Sequence, residues 1–254
     1  MTNIKIENLT KAFGDRKVIN NLNMEIKKGE SLVIIGGSGT GKSVLIKNMI
    51  GIMHPTSGKV YYDNLSFYDA SKEERKEIMS KIGVCFQGGA LFDSMLIWEN
   101  VAFVLTHHQK MPAKKAKEIA IETLALVGLN SDVADLYPSE LSGGMQKRAS
   151  ITRAIATNPE IIFFDEPTSG LDPINTNLIS DLIIKCSKEL GSTTITITHD
   201  MNGAKRVANK VAMLYKGNIV WEGNKENMES ADNPYLQQFI NGKTTGPIEV
   251  EVRA

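Results

Sequence analysis

The run Gly36-Gly37-Ser38-Gly39-Thr40-Gly41-Lys42-Ser43 fits G-x-x-x-x-G-K-[ST], a spacing whose chemistry is phosphate binding. Its glycines let successive backbone N–H groups fold toward anionic oxygens. Lys42 brings a full positive charge for β- and γ-phosphates, and the Ser43 hydroxyl is a hard oxygen donor suited to Mg2+. A helix expected from about Gly41 to Ile50 aims its positive end at the same anion. Such a site needs an acid at the tip of a neighbouring strand, and Ile161-Ile162-Phe163-Phe164-Asp165-Glu166 supplies a pair. The four apolar residues predict a strand buried in a sheet, leaving Asp165 at its carboxyl end, where parallel sheets bind ligands. Asp165 is expected to hold Mg2+ through water, and Glu166 to polarise an attacking water. A guanine-specific enzyme would need Asn-Lys-x-Asp, and Asn209-Lys210-Val211-Ala212 lacks the acid.

A second glycine pair, in Leu141-Ser142-Gly143-Gly144-Met145, lies upstream of Asp165. Ser142 is a good N-cap, and Gly143 and Gly144 allow close backbone approach at the start of a helix running to Ala156. That helix end is a second anion site, yet one chain can hardly wrap both sites round the same γ-phosphate. The run resembles the LSGGQ signature of the ATP-binding-cassette ATPases, with Met145 in place of the usual Gln. Phe13 resembles the aromatic on which adenine stacks, and Gln87 the Q-loop residue. Ser169-Gly170-Leu171-Asp172 resembles the D-loop, and His199 in Thr196-Ile197-Thr198-His199-Asp200 the switch histidine that senses the γ-phosphate. The resemblance spans Ile4 to about Gly223.

This resemblance implies an α/β fold: a P-loop NTPase core with a mainly parallel sheet, an N-terminal antiparallel β part and an inserted helical subdomain. It implies ATP as the nucleotide, Mg2+ held by Ser43, Gln87 and Asp165, and a homodimer in which each signature closes on ATP held by the other subunit. Phe86-Gln87-Gly88-Gly89-Ala90-Leu91-Phe92-Asp93-Ser94-Met95 and Trp98 to Phe103 carry a finer resemblance, to the ATPases of the Mla (Mkl-like) systems. Pro138 to Met145 and Gln238 to Gly242 extend it. It implies phospholipid traffic serving outer-membrane asymmetry and a place at the cytoplasmic face of the bacterial inner membrane. Implied partners are an integral-membrane permease, a periplasmic lipid-binding protein and a small cytoplasmic regulatory subunit. Cassette importers of polar amino acids or ribonucleotides share the nucleotide motifs and remain an alternative, as does a soluble cassette outside transport.

The elements that must position these residues are legible in outline. Ile4 to Ile6, Leu32 to Ile35, Gly58 to Tyr62, Ile161 to Asp165 and Thr193 to Thr198 read as strands, and Val211 to Tyr215 with Ile219 to Glu222 as a hairpin. Leu91, Met95, Trp98, Ala102 and Leu105 recur at helical steps, and Ala116 to Val127 forms a second stripe closed by Gly128. The first stripe has two readings: packing inside the helical insert of about 90–157, or, with Phe92, a groove for a permease helix. We expect one cassette domain over 1–254 with a tail from about 241. In the tail, Ile248-Glu249-Val250-Glu251-Val252 alternates and suits an edge strand, a contact with a sister subunit, or a frayed end.

Composition narrows the class. Lys plus Arg and Asp plus Glu both number 29, so the chain lacks the basic excess of a nucleic-acid binder. Only Cys85 and Cys186 are present, which fits a reducing compartment. The longest apolar runs fall far short of the ~20 residues of a membrane span, so a membrane role is expected through a partner. Cys85 is expected in the core, the 72–77 charge run on a solvated helix, and His54, His107 and His108 in solvent.

Overall fold

The computed structural model describes residues 2–249. It opens on an antiparallel sheet. β1 (Ile4–Phe13) pairs with β2 (Arg16–Ile26), and Ile4, Ile6 and Leu9 point inward while Lys5 and Asn8 face out. β3 (Ser31–Ile35) leaves this sheet for a second one, and α1 (Lys42–Met49) follows. β4 (Ser57–Tyr62) and β5 (Leu65–Ser66) return to complete the order β2-β1-β4-β5. α2 (Lys72–Ser80) carries the expected charge run and buries only Ile78; Ser71 and Glu74 close a capping box at its start.

The second sheet positions the phosphate chemistry. β6 (Ile82–Cys85) precedes the helical insert, made of α3 (Ile97–Val101), α4 (Phe103–His107), α5 (Ala113–Leu126) and α6 (Gly143–Ile155). Then come β7 (Ile161–Asp165), α7 (Pro173–Glu189), β8 (Thr193–Thr198), α8 (Met201–Val207), β9 (Lys210–Tyr215), β10 (Asn218–Asn224) and α9 (Pro234–Ile240). The strand order is β10-β9-β3-β8-β7-β6, parallel throughout except for the β10 edge, which pairs antiparallel with β9. Strands buried on both faces should be continuously apolar, and β3 and β7 are. Alternation sends Val33, Ile35, Ile162 and Phe164 into the core beneath the helical insert and α7. Leu32, Ile34, Ile161 and Phe163 enter the core shared with the antiparallel sheet and α1.

The sheets are stitched where β2 crosses the β9–β10 turn: Asn20 N–H donates to Gly217 O at 2.9 Å. Gly217 has φ 78, and a Cβ there would lie 2.7 Å from Val18 O, so the close approach needs glycine. No helix among the described residues is long and apolar enough to cross a membrane.

One expected helix is not formed as spaced. Leu91 and Met95 precede it, α3 begins only at Ile97, and the helix breaks at Ala102. The cause is Asn100, fully buried, whose Oδ1 accepts from Phe92 N–H at 2.7 Å. Its Nδ2 donates to the carbonyls of Phe92, Met95 and Leu96, each at 3.1 Å. The Asn100 side chain takes the place of a helical ladder and holds 92–96 as a turn. Ile97 and Val101 become the buried face, whereas Trp98 is half-buried beneath Lys117.

The tail forms no strand up to Glu249. It folds back on its own chain, where buried Gln238 accepts from Ile248 N–H at 2.7 Å and donates to Ile248 O at 3.1 Å. Lys216 pairs with Glu249 at 2.8 Å. The remainder of the expected alternating segment, Val250 to Val252, lies outside the described residues.

Candidate functional site

Parallel register brings the carboxyl ends of four strands together. Ile35 aligns with Thr198, Asp165 with Ile197 and Cys85 with Phe164. The residues that follow, from Gly36, His199, Glu166 and Phe86 onward, therefore emerge along one edge, where parallel sheets place their ligands.

The loop after β3 is a cradle of backbone. Gly36, Gly39 and Gly41 have φ of 154, 73 and 104, and Gly41 is the N-cap of α1. A Cβ at Gly41 would stand 2.9 Å from Val18 O, so β2 presses directly on the loop. Thr40 Oγ1 donates to Gly37 O at 3.0 Å and tightens the turn. Lys42 is buried under it, with Nζ donating to Gly36 O and Gly37 O at 2.8 and 2.9 Å. Burial pulls the Lys42 amine below its usual range, opposed by the charges of Glu166 and Asp165.

Ser43 Oγ donates to Asp165 Oδ1 at 3.2 Å. Asp165 is buried, and that burial raises its carboxyl above the usual carboxylate range, with the Ser43 hydrogen bond opposing. A hydroxyl beside a carboxylate is a hard oxygen pair of the kind Mg2+ takes, completing its shell with water and phosphate. No cluster of three or more His, Cys, Asp or Glu metal ligands exists among the described residues, so a metal here would rest on few protein oxygens.

Glu166 lies between the Lys42 ammonium and the His199 ring. Lys42 Nζ is 3.7 Å from its Oε1, and His199 Nδ1 is 2.9 Å from its Oε2. The second approach is close but does not have hydrogen-bond geometry, since Oε2 is buried with no hydrogen-bond partner. The contact is a close approach of ring and carboxylate rather than a donated bond. A buried carboxylate oxygen without a donor is a costly arrangement that a bound water would relieve. The Glu166 backbone adds to the strain, with φ 48, a left-handed conformation in a residue that is not glycine. Its N–H still donates to Ile197 O at 3.0 Å, so β8 fixes the turn. His199, itself mostly exposed, is presented by a loop that Thr198 and Asp200 tie down; Asp200 caps α8.

The D-loop residues Ser169, Gly170 and Leu171 share an open cleft of about 410 Å3 with His199 and Asp200. Asp172 caps α7 by accepting from the N–H groups of Ile174 and Asn175. Asn175 in turn packs on Gly144, where a Cβ would meet its Oδ1 at 2.8 Å. Ser142 caps α6, its Oγ accepting from Met145 N–H at 3.3 Å, and Ser142 and Gly143 are exposed.

The structure thus joins Lys42, Ser43, Asp165, Glu166 and His199. Phe13, Gln87 and Ser142 are exposed, and no hydrogen bond, ion pair or ring contact among the described residues connects them to that group. Sequence reasoning passed over Lys147, a buried lysine on α6 whose Nζ lies 3.5 Å from Glu166 O. Nothing local marks it, because a lysine within a helix reads as solvated.

A mainly parallel sheet with a phosphate loop after one central strand and a carboxylate pair after another defines a nucleoside triphosphatase of the P-loop class. The chain belongs to the ABC transporter family, whose model matches residues 19–169. It is 40% identical over 245 residues to the probable ribonucleotide transport ATP-binding protein mkl of Mycobacterium bovis, covering 96% of this chain and 68% of that one. It is 36% identical to the intermembrane phospholipid transport system ATP-binding protein MlaF of Haemophilus influenzae, covering 99% and 95%. The methionine import ATP-binding protein MetN of Lactobacillus johnsonii is 38% identical, over 94% and 70%. Among solved structures, the dimeric ATP-binding cassette MJ0796 in a post-hydrolysis state bound to ADP and Pi matches with a TM-score of 0.79 and 34% identity. That match covers 87% of this chain and 98% of that one. The chain is accordingly the ATP-binding, ATP-hydrolysing subunit of an ABC transporter.

Proposed function

We propose that two copies of this chain sandwich ATP and couple its hydrolysis to phospholipid movement across the cell envelope. In this reading the glycine cradle and Lys42 bind the phosphates, while adenine stacks on Phe13 at the β1–β2 tip. Ser43, Asp165 and Gln87 hold Mg2+, which supplies charge neutralisation at the phosphates when bound. Glu166 orients and polarises the attacking water, and its carboxylate takes up the water's proton. His199 contacts the γ-phosphate opposite Glu166. Ser142, Gly143 and Gly144 of the second copy complete the electrostatic cage around it. The observation that carries the chemistry is the buried, hydrogen-bond-free Oε2 of Glu166, set 2.9 Å from His199 Nδ1.

Support for the phospholipid cargo is the 36% identity to MlaF over 99% of this chain and 95% of that one. We place the chain on the cytoplasmic face of the bacterial inner membrane, held there by an integral-membrane permease that works with a periplasmic lipid-binding protein. A small cytoplasmic subunit bound to the ATPase completes the assembly. A second reading, import of a ribonucleotide or of an amino acid, draws on the similarity to mkl and MetN. In this reading the partners decide which substrate is moved. Tagged chain purified with its membrane partners should carry phospholipid by mass spectrometry, and reconstituted complex should move labelled phospholipid only with ATP. ATP-dependent uptake of methionine or a ribonucleotide, with no lipid movement, would establish the second reading instead.

A further inference from the structure

The helix that begins at Ser142 ends on the loop that holds Gln87. After β6 the chain turns through Gly88, Gly89 and Ala90 with φ of 76, 84 and 47, three left-handed residues in succession, the last of which is not glycine. A run of this kind persists only where the surroundings over-determine it. Here the surroundings are α6. Arg153 Nη1 donates to Ala90 O at 2.7 Å and Nη2 to Gly89 O at 2.8 Å. Ser150 Oγ donates to Gly89 O at 2.9 Å and lies 3.3 Å from Cys85 Sγ at the end of β6. The guanidinium also sits 6.0 Å from the ring of Phe92, in the turn that Asn100 holds.

We propose that Arg153 and Ser150 are positioning residues for Gln87, clamping the Gly89 and Ala90 carbonyls to α6 so that the Gln87 loop and the Ser142 end of the helix move as one body. The planar fork of Arg153 reaches two adjacent carbonyls at once, which a lysine ammonium on a single stem does not reproduce. From Ser142 to Arg153 the helix is a rod of roughly 16 Å at 1.5 Å per residue. A displacement of Ser142 on engaging a phosphate is therefore delivered to the carbonyls two and three residues beyond Gln87. The inference rests on the reading above in which Gln87 serves the hydrolytic site.

The test is a double-mutant cycle on steady-state ATP hydrolysis by the full chain, with R153M, R153K and S150A each made in the native and the Q87A background. In the native background R153M should lower kcat about ten- to a hundredfold, the scale for a mispositioned catalytic group, while KM for ATP moves about twofold at most. R153K should recover part of the loss, and S150A should show a smaller one. In the Q87A background all three should cost less than about twofold, because the residue they position is gone. Losses that multiply in full with Q87A would overturn the clamp. A Q87A protein with native turnover would instead remove Gln87 from the site, and the clamp with it, and is told apart by that single variant alone. Should R153M fail to fold, R153K and S150A carry the same cycle.

Discussion

Glu166 and His199 face each other across the carboxyl ends of β7 and β8, with Oε2 and Nδ1 separated by 2.9 Å and no hydrogen bond between them. The two strands pair in parallel, Asp165 against Ile197, so the register of the sheet sets this proximity.

Replacing Glu166 with Gln keeps the shape and removes the proposed base. E166Q should bind ATP as the native chain does while kcat falls at least about 100-fold, the usual scale for a lost general base. H199A should fall by a similar order. If both groups serve one γ-phosphate and one water, as proposed, the double variant should be little slower than the slower single one. Equilibrium ATP binding alongside single-turnover hydrolysis checks all three; additive losses would separate the two roles.

The left-handed backbone at Glu166 has a consequence for stability that is independent of chemistry. A residue with a Cβ pays roughly 1–2 kcal/mol in this conformation and glycine does not. E166G should therefore be more stable to urea than E166A by about 1 kcal/mol, reversing the usual order of the two residues, although both should be inactive. An E166A chain as stable as E166G would mean that the turn relaxes when the carboxylate is removed.

Much of the site was legible because its chemistry demands particular residues side by side. Gly36 to Ser43, Asp165 with Glu166, and the Ser142 cap each occupy a few contiguous positions, and the fold sets them as read. The strands β3 and β7 are equally plain, since burial on both faces leaves the apolar runs Leu32 to Ile35 and Ile161 to Phe164, and β8 shows itself by its β-branched Thr and Ile residues. What escaped notice depends on partners distant in the chain. Arg153 meets Ala90 across 63 positions, and a side chain that binds a carbonyl leaves no pattern in the sequence. Asn100 overrode a helical spacing at 91–95 by the same means, through backbone groups that carry no residue identity. β2 carries no strand expectation although Leu22, Met24 and Ile26 alternate inward; Asn20, Asn21 and Asn23, a residue type depleted in strands, interrupt the pattern. The start of α7 is marked in the sequence by Asp172-Pro173, a cap followed by proline in the first helical turn.

Cys85 and Cys186 are both buried, and burial raises both thiols, Cys186 to about 12. At pH 8 the native chain should react with a disulfide reagent at least about 100-fold more slowly than the urea-unfolded chain, whose thiols ionise near 8.5. The sign for stability follows. The unfolded thiols lose their protons first, so folding stability is fully present below about 8.5 and declines as pH rises toward about 12. Thiol counts before and after unfolding, repeated across pH, provide the check; a fast-reacting native thiol would show that the core around it opens.

Ser142 has two separable duties. As the cap of α6 its hydroxyl satisfies Met145 N–H, and S142A should cost about 1 kcal/mol of stability. In the proposed sandwich it would also face the γ-phosphate of a second copy's ATP. Aspartate caps a helix as well as serine does but brings a negative charge to the phosphate. S142D should therefore melt near the native temperature, above S142A, yet fail to form the ATP-dependent dimer when built on the slow-hydrolysing E166Q chain. Sedimentation with ATP and Mg2+ distinguishes the outcomes. E166Q alone should dimerise, S142A should dimerise weakly, and S142D should remain monomeric. A stable S142D that dimerises as E166Q does would place the signature helix away from the nucleotide and leave only its structural role.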